Sequence, residues 1–285
     1  MTIHHLVIQS PALSTEQAEQ LAALAQAQGM LRLGAACARL LDVQHDPATR
    51  AQIGEWAEQR HIDAAFVPAG VRLSDCKVLA MDMDSTLINI ECIDEIADIA
   101  GRKDQVAAIT EAAMRGEIKD FSDSLRRRVA LLEGVPDSAL EQVYTERLRL
   151  NPGAERLLGA AQAAGIKTLL VSGGFTFFTA RLRERLKLDS AHANTLEIRD
   201  GKLTGQVLGR ILDADAKAAY LRDFAQEHGA TQENIIAIGD GANDLKMLAG
   251  AGYAVAYHAK PIVRQQTRYA LNACGLDGVL NWFED

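Results

Sequence analysis

What the chain lacks narrows what it can be. Cysteine is scarce: Cys37, Cys76, Cys92 and Cys274 are the only four among 285 residues, and no two form a CxxC pair. That scatter argues against a disulfide framework or a cysteine zinc site and fits a reducing, cytoplasmic compartment. No apolar run is long enough to span a bilayer, so no membrane partner is expected. The N-terminus, MTIHHLVIQSPALS, lacks the basic segment and long apolar core of a signal peptide. Positive charge is in deficit. With 30 Lys and Arg against 38 Asp and Glu the net charge is −8, which argues against nucleic acid as a partner. An anionic ligand must then be captured by local positive groups. Internal repeats and low-complexity tracts are absent, and nothing decides between a monomer and a homodimer.

What remains is an ordinary globular composition, 48% hydrophobic and 24% charged, in a length that suits one or two domains. Three blocks are expected. In residues 1–75, IHHLVIQ and IDAAFVPA read as strands. Ser14 caps a helix running to Gly29, with Gln17 completing a capping box, and Asp46 caps a helix running to Arg60. Between them, residues 31–36 and 38–43 read either as two short strands or as one helix. Two strands make the order β-α-β-β-α-β, a ferredoxin-like α+β domain; the Ala, Leu and Arg content favours helix. Residues 76–285 read as a second domain. Within it, about 88–150 is rich in helix formers, broken at Gly101, Gly116 and Gly134-Val135-Pro136, and follows a strand end as a lid would. The remainder alternates strands and helices, which predicts a doubly wound parallel, Rossmann-like sheet. TLEIRDGKLTGQV reads as a hairpin with a type I′ turn at Asp200-Gly201.

Chemistry concentrates at the predicted strand ends. KVLAMDMDSTLI carries a buried-strand pattern into Asp82 and Asp84. Ligands of open α/β sheets bind where strands end. Two acids crowded there repel unless a cation joins them. Mg²⁺ suits one or two carboxylates plus a phosphate. The same residue types also serve as turn and helix caps. VSGGF, at Ser172-Gly173-Gly174, offers a hydroxyl and open backbone N–H groups to an anion, or else makes a plain tight turn. Lys217 sits near a helix start, against the helix dipole, where it would neutralise a phosphate; a solvated lysine is the alternative. GDGAND adds Asp240, Asn243 and Asp244 at a further strand end. Of Arg126-Arg127-Arg128 most is expected to face solvent, with one arginine turned inward to a carboxylate. His192, His228 and His258 fit no ligand spacing.

The ordered set of DMDST, the strand-end Ser172, Lys217 and GDGAND resembles the haloacid dehalogenase (HAD) superfamily of phosphotransferases over about residues 76–285. MDMDSTLINIECIDEIADIAG, AMRGEI, SLRRRVALLEG, VSGGFTFF, DGKLTG, DADAK and IGDGANDLKML narrow the resemblance to its phosphoserine phosphatase branch. That resemblance implies a HAD sheet with a helical cap, and hydrolysis of O-phospho-L-serine. Asp82 is then the phosphoryl-accepting nucleophile and Asp84 the general acid and base. Mg²⁺ is held by the Asp82 carboxylate, the Asp84 main-chain carbonyl and Asp240. Ser172, Gly173 and Lys217 bind phosphate, with Asn243 and Asp244 supporting the metal and phosphate end. Glu91 takes the substrate ammonium and Arg128 its carboxylate, while Met114 and Phe121 line the lid. GEIKDF is one residue longer than the family spacing. An insertion before Phe121 keeps Arg128 as the substrate arginine; elsewhere it would substitute Arg127. Relatives often carry ACT-type regulatory domains N-terminally, but this block lacks their amino-acid-binding glycine motif. Transfer of phosphate to an acceptor such as homoserine, and a non-catalytic phosphoserine-binding regulator, are the competing readings.

Overall fold

The computed structural model describes residues 3–115, 117, 118 and 120–285, apart from the side chain of Met114. The N-terminal block runs β1 (His4–Gln9), α1 (Thr15–Leu24), β2 (Gly29–Gly34), β3 (Cys37–Leu41), α2 (Pro47–Glu58) and β4 (Asp63–Pro68). Its strands form one antiparallel sheet in the order β2-β3-β1-β4, the ferredoxin-like plan. The ambiguous 31–43 stretch is therefore two strands. Pairing with β1 and burial of β3 override its helix propensity. The Ser14–Gln17 capping box forms. The helix it starts ends at Leu24 and not at Gly29, because Gln26 turns to φ 51° and redirects the chain into β2.

Both faces of this sheet's central strands are covered, whereas its edge strand β2 is exposed. Leu6, Ile8, Ala38 and Leu40 pack under its helices, whereas Val7, Cys37, Ala65 and Val67 join the core of the larger body. That is why β1 lacks the alternation of a half-exposed strand. Polar clasps fix the contact. The Asp63 carboxylate accepts the N–H groups of Asn272, Ala273 and Cys274, and Arg39 donates to the carbonyls of Asn281 and Phe283.

The larger body continues with β5 (Val78–Met81), α3 (Cys92–Ile99), α4 (Lys103–Met114), α5 (Phe121–Ala130), α6 (Ser138–Gln142), α7 (Ala154–Ala163), β6 (Lys167–Phe175) and α8 (Thr176–Leu186). It then forms β7 (Ser190–Arg199), β8 (Lys202–Leu208), α9 (Ala214–Glu227), β9 (Ile235–Gly239), α10 (Leu245–Leu248), β10 (Tyr253–Tyr257), α11 (Pro261–Gln266) and β11 (Tyr269–Leu271). The sheet order is β11-β10-β9-β5-β6-β7-β8, parallel except for β7 with β8. Every residue of β5, β9 and β10 is buried, as parallel strands covered on both faces require. From central β5 the chain crosses first to β6 on one side and later to β9 on the other. The crevice at that switch point is where the motifs converge. Asp200 and Gly201 both take positive φ, 53° and 70°, as a type I′ hairpin turn demands. No helix among the described residues is long and apolar enough to cross a membrane.

One local alternative does not occur. VSGGF is not a tight turn: β6 stays extended through Phe175, with a register shift against β7 between Val171 and Phe175. Phe175, 1% exposed, is held in the core, and α8 starts at Thr176. After β9 the chain makes a 3₁₀ turn, Ala242–Asp244, before α10.

The helical segment between β5 and α7 leaves and returns through one doorway. Ile88 and Leu150 form an antiparallel bridge, flanked by Asn89 N–H to the Arg149 carbonyl and Asn151 N–H to the Leu87 carbonyl. Its far side rests on the hairpin, where Gly134 and Leu203 pair and Pro136 bridges Lys202.

Candidate active site

β5 delivers Asp82 into a buried position at its carboxyl end, and Asp82 Oδ1 accepts the N–H of Met83 at 2.8 Å. β9 ends beside it and presents Asp240, with Asp244 one short turn later. Among the described residues, oxygens of Asp82, Asp240 and Asp244 lie within 4.8 Å of one another. Gly239 is what allows this. A Cβ there would sit 2.6 Å from Asp244 Cβ, so any side chain would push that acid away. Asp244, fully buried, accepts the N–H groups of Asp240 and Gly241, which ties the whole loop to one carboxylate.

Lys217 reaches this cluster from α9. Its Nζ lies 2.7 Å from both Asp82 Oδ1 and Asp244 Oδ1, and it is 1% exposed. Burial alone would push its ammonium down; Asp244 and Asp82 outweigh that and hold it above its ordinary value. The solvated alternative for Lys217 does not occur. Three carboxylates against one ammonium leave an excess of negative charge. At the observed separation each like-charged pair costs roughly 3–4 kcal/mol at an effective dielectric of about 20. Burial, then Asp244, accordingly raises Asp82 well above the usual carboxylate range and Asp240 to about 6. A hard divalent cation is the other way to relieve such crowding, and this all-oxygen donor set fits one. Asp84's carboxylate is not part of the group.

Asp84 points elsewhere. It belongs to a turn in which Ser85 takes φ 55°, an uncommon value for a side-chain-bearing residue. Asp84 Oδ2 would be 2.7 Å from a Cβ on Gly174, and Ser172 Oγ would be 3.0 Å from it, so the glycine makes room for an acid and a hydroxyl together. Desolvation, and after it the charge of Glu91, push the Asp84 carboxyl up to about 8. Burial thus favours the protonated form of a carboxyl that lies beside Ser172. That is the state a general acid needs.

The Ser172 loop is shaped by three residues. Ser172 Oγ accepts the N–H of Gly174 at 2.8 Å. Asn194 donates to the carbonyl of Gly173 at 2.8 Å and accepts the N–H of Leu212 at 2.7 Å. Over Gly173 lies the ring of Phe121, whose Cζ would be 3.0 Å from a Cβ there. Phe121 comes from the helical segment, so that segment covers the carboxyl end of β6.

Glu91 stands at the N-terminal end of α3, and its Oε1 accepts the Ser85 hydroxyl at 2.7 Å. Of the three arginines, Arg126 and Arg127 are exposed, and Arg127 pairs with Asp123 at 2.8 Å. Arg128 turns inward, its Nε buried without a partner. Asp94, Glu91 and Asp84 are the acids whose charge it meets. Asn243 lies on the 3₁₀ turn with its Oδ1 against Gly241. The Met114 side chain, and Gly116 and Lys119 of the GEIKDF stretch, lie outside the described residues.

Some participants were missed by reading motifs. Asn194 lies one residue ahead of the expected hairpin, within the longer observed β7, and no motif marks it. Thr86, fully buried, donates to Asp240 Oδ1 at 2.9 Å and links the β5 loop to the β9 loop. Asp244, expected to support the metal and phosphate end, lies within the carboxylate group.

Comparison with known proteins places this geometry in context. The description of the haloacid dehalogenase-like hydrolase family matches residues 79–249, and a domain of unknown function (DUF4072) matches residues 6–53. A Polaromonas sp. protein named phosphoserine phosphatase is 57% identical over 214 residues, 74% of this chain and 91% of the relative. The crystal structure of a HAD family hydrolase from Salmonella enterica serovar Typhi superposes with a TM-score of 0.89 at 35% identity, covering 99% of both chains. A probable phosphoserine phosphatase from Vibrio cholerae, unliganded, superposes at 0.83 with 39% identity, covering 99% of this chain and 86% of that one.

Proposed function

The chain belongs to the haloacid dehalogenase-like hydrolase family, and on that premise we propose that it is a Mg²⁺-dependent phosphatase releasing L-serine from O-phospho-L-serine. One observation carries the chemistry: buried Asp82 shares the Lys217 ammonium with Asp244, and Asp84, whose carboxyl is raised by burial, lies beside Ser172. The substrate choice is supported by the phosphoserine phosphatases it resembles and by an acid, Glu91, and an inward arginine, Arg128, under the same helical cover.

Asp82 attacks phosphorus, and the bond from phosphorus to the seryl oxygen breaks. Asp84 gives its proton to that oxygen, so serine leaves neutral at its hydroxyl. Asp84, now a carboxylate, takes a proton from water as the water oxygen attacks the phosphoryl group on Asp82. Phosphate departs and both acids return to their starting states. Asp82 and Asp240 would hold Mg²⁺, with Asp244 next to them and the Asp84 carbonyl completing the protein's share. The ion supplies charge neutralisation at the reacting oxygens. Lys217 neutralises the phosphate, and Ser172 and Gly173 cradle it, with Asn243 at the same end. Glu91 pairs the substrate ammonium and Arg128 its carboxylate, each by a charge-assisted hydrogen bond. Phe121 covers the bound amino acid.

We assign residues 1–75 to a ferredoxin-like, ACT-like domain and 76–285 to the phosphatase domain, with the cap over about 88–150. The separate sheets and the Ile88–Leu150 doorway support that division. The four free cysteines support a reducing, cytosolic site of action. The test is a phosphate-release assay with Mg²⁺ over a panel of phosphomonoesters. Phosphoserine should be the preferred substrate, and Asp82→Asn should lose at least ~10³-fold in rate, about 4 kcal/mol of barrier. Phosphate passed to homoserine instead of released, or binding without turnover, would overturn the reading.

A further inference from the structure

The turn carrying Asp84 and Ser85 has a problem that its own residues do not solve. Its backbone is non-helical at both positions, φ −63° and ψ 135° at Asp84, then φ 55° and ψ −2° at Ser85. The carbonyls that follow point inward, among residues with no exposed surface: Thr86, Leu87 and Ile88 are each 0% exposed. Buried carbonyls need donors. Asn151 supplies them. Its side-chain Nδ2 lies 2.8 Å from the Thr86 carbonyl, 3.0 Å from that of Ile88 and 3.4 Å from that of Ser85. Its backbone N–H takes the remaining one, Leu87, at 3.0 Å. The amide orientation is not ambiguous, because the flipped form would aim its oxygen at three other oxygens.

Asn151 is itself anchored on the opposite side. Its carbonyl accepts the N–H of Ala154, which starts α7. The next two residues, Pro152 and Gly153, lock against the C-terminal segment. Leu276 donates to the Pro152 carbonyl, and Gly153, at φ 79°, is so close that a Cβ would lie 2.1 Å from Asp277 Oδ1. Asn151 thus connects a fixed part of the body to the one turn that aims Asp84 at the Ser172 loop and offers the Ser85 hydroxyl to Glu91.

We propose that Asn151 is a positioning residue for the general acid: its amide holds the Ser85–Ile88 backbone so that Asp84 meets the leaving oxygen of the substrate. This rests on the phosphatase reading above. The step it serves is the transfer of the Asp84 proton to the seryl oxygen as the phosphoryl group moves to Asp82. General acids contribute about 10²–10⁴-fold, and a misplacement on the order of 1 Å costs about 10²-fold. The effect should depend on how much the leaving group needs a proton. A serine alkoxide needs one; p-nitrophenolate leaves without it.

The experiment compares kcat/KM for phosphoserine and for p-nitrophenyl phosphate in the wild-type chain, Asn151→Asp and Asn151→Ser. Asn151→Asp keeps the shape but replaces the donor by an acceptor that faces three carbonyl oxygens. Asn151→Ser keeps one donor and carries the test if the first variant does not fold, as judged by circular dichroism and the thermal midpoint. In folded variants kcat/KM for phosphoserine should fall ~10–100-fold, whereas that for p-nitrophenyl phosphate should fall less than ~3-fold. Equal losses on both substrates would mean a disturbed nucleophile or metal loop, and no loss on either would mean an idle amide; each overturns the proposal. If the wild type hydrolyses p-nitrophenyl phosphate but not phosphoserine, the substrate reading falls. The same contrast, made with an alkyl phosphate that the enzyme does accept, then still decides the role of Asn151.

Discussion

Lys217 Nζ lies 2.7 Å from Asp82 and 2.7 Å from Asp244, so one ammonium is shared between the acid at the end of β5 and an acid on the loop after β9. The three residues come from three separate elements, and the pair of contacts fastens them together at the centre of the site.

That sharing has a stability consequence. Lys217→Met leaves Asp82 and Asp244 buried and facing each other. Removing one partner of a buried ionic pair costs about 3–5 kcal/mol. For a chain of this size the thermal midpoint should drop on the order of 10 °C in metal-free buffer near neutral pH. Calorimetry checks it. A midpoint within ~2 °C of wild type would show that the carboxylates are already neutral without the lysine.

The carboxylate cluster predicts how pH and metal act together. Asp240 has its carboxyl raised to about 6 by burial and Asp244, above its ordinary value of 3.8. The folded chain therefore holds this proton more tightly than the unfolded chain. The resulting stabilisation is full below pH about 4 and is lost as pH rises through about 6. A divalent cation needs the ionised form, so it competes with that proton. Added Mg²⁺ should raise the thermal midpoint markedly at pH 7.5 and little at pH 4.5, and chelation at pH 7.5 should abolish turnover until Mg²⁺ is restored. A metal-induced shift of equal size at both pH values would contradict the arrangement.

The three consecutive arginines should separate by substitution. Arg128 turns inward with a free buried Nε, whereas Arg127 is spent on an exposed pair with Asp123. Hydrogen bonds to charged groups are worth about 1.5–3 kcal/mol, so Arg128→Ala should raise KM for phosphoserine by roughly 10–100-fold with a smaller change in kcat. Arg127→Ala removes only a surface pair worth about 0–1 kcal/mol and should leave KM within a few-fold of wild type. The reverse ranking would move the extra residue of GEIKDF to the other side of Phe121.

Most of the architecture was legible along the chain because burial in a parallel sheet writes itself as short apolar runs. VLAM and IIAIG are strands for that reason, and acids directly after them had to lie at strand ends. Capping chemistry was equally local: Ser14 with Gln17, Asp46, and Asp200-Gly201 act within a few residues of themselves. The 31–43 stretch was not legible, because its helix propensity and its strand partner oppose each other and the partner, β1, is about thirty residues away.

By itself, then, the sequence determined which acids could take part and where each strand would release them, since residue type and short-range pattern suffice for both. Tertiary structure alone decided their relationships. It brought Asp244 into the carboxylate group, shared Lys217 between two acids, turned Arg128 in and Arg127 out, and laid the amide of Asn151 across the turn behind Asp84. Each of these joins residues far apart in the chain, or chooses between neighbours by the direction a helix faces. Only the packed arrangement of elements contains that information.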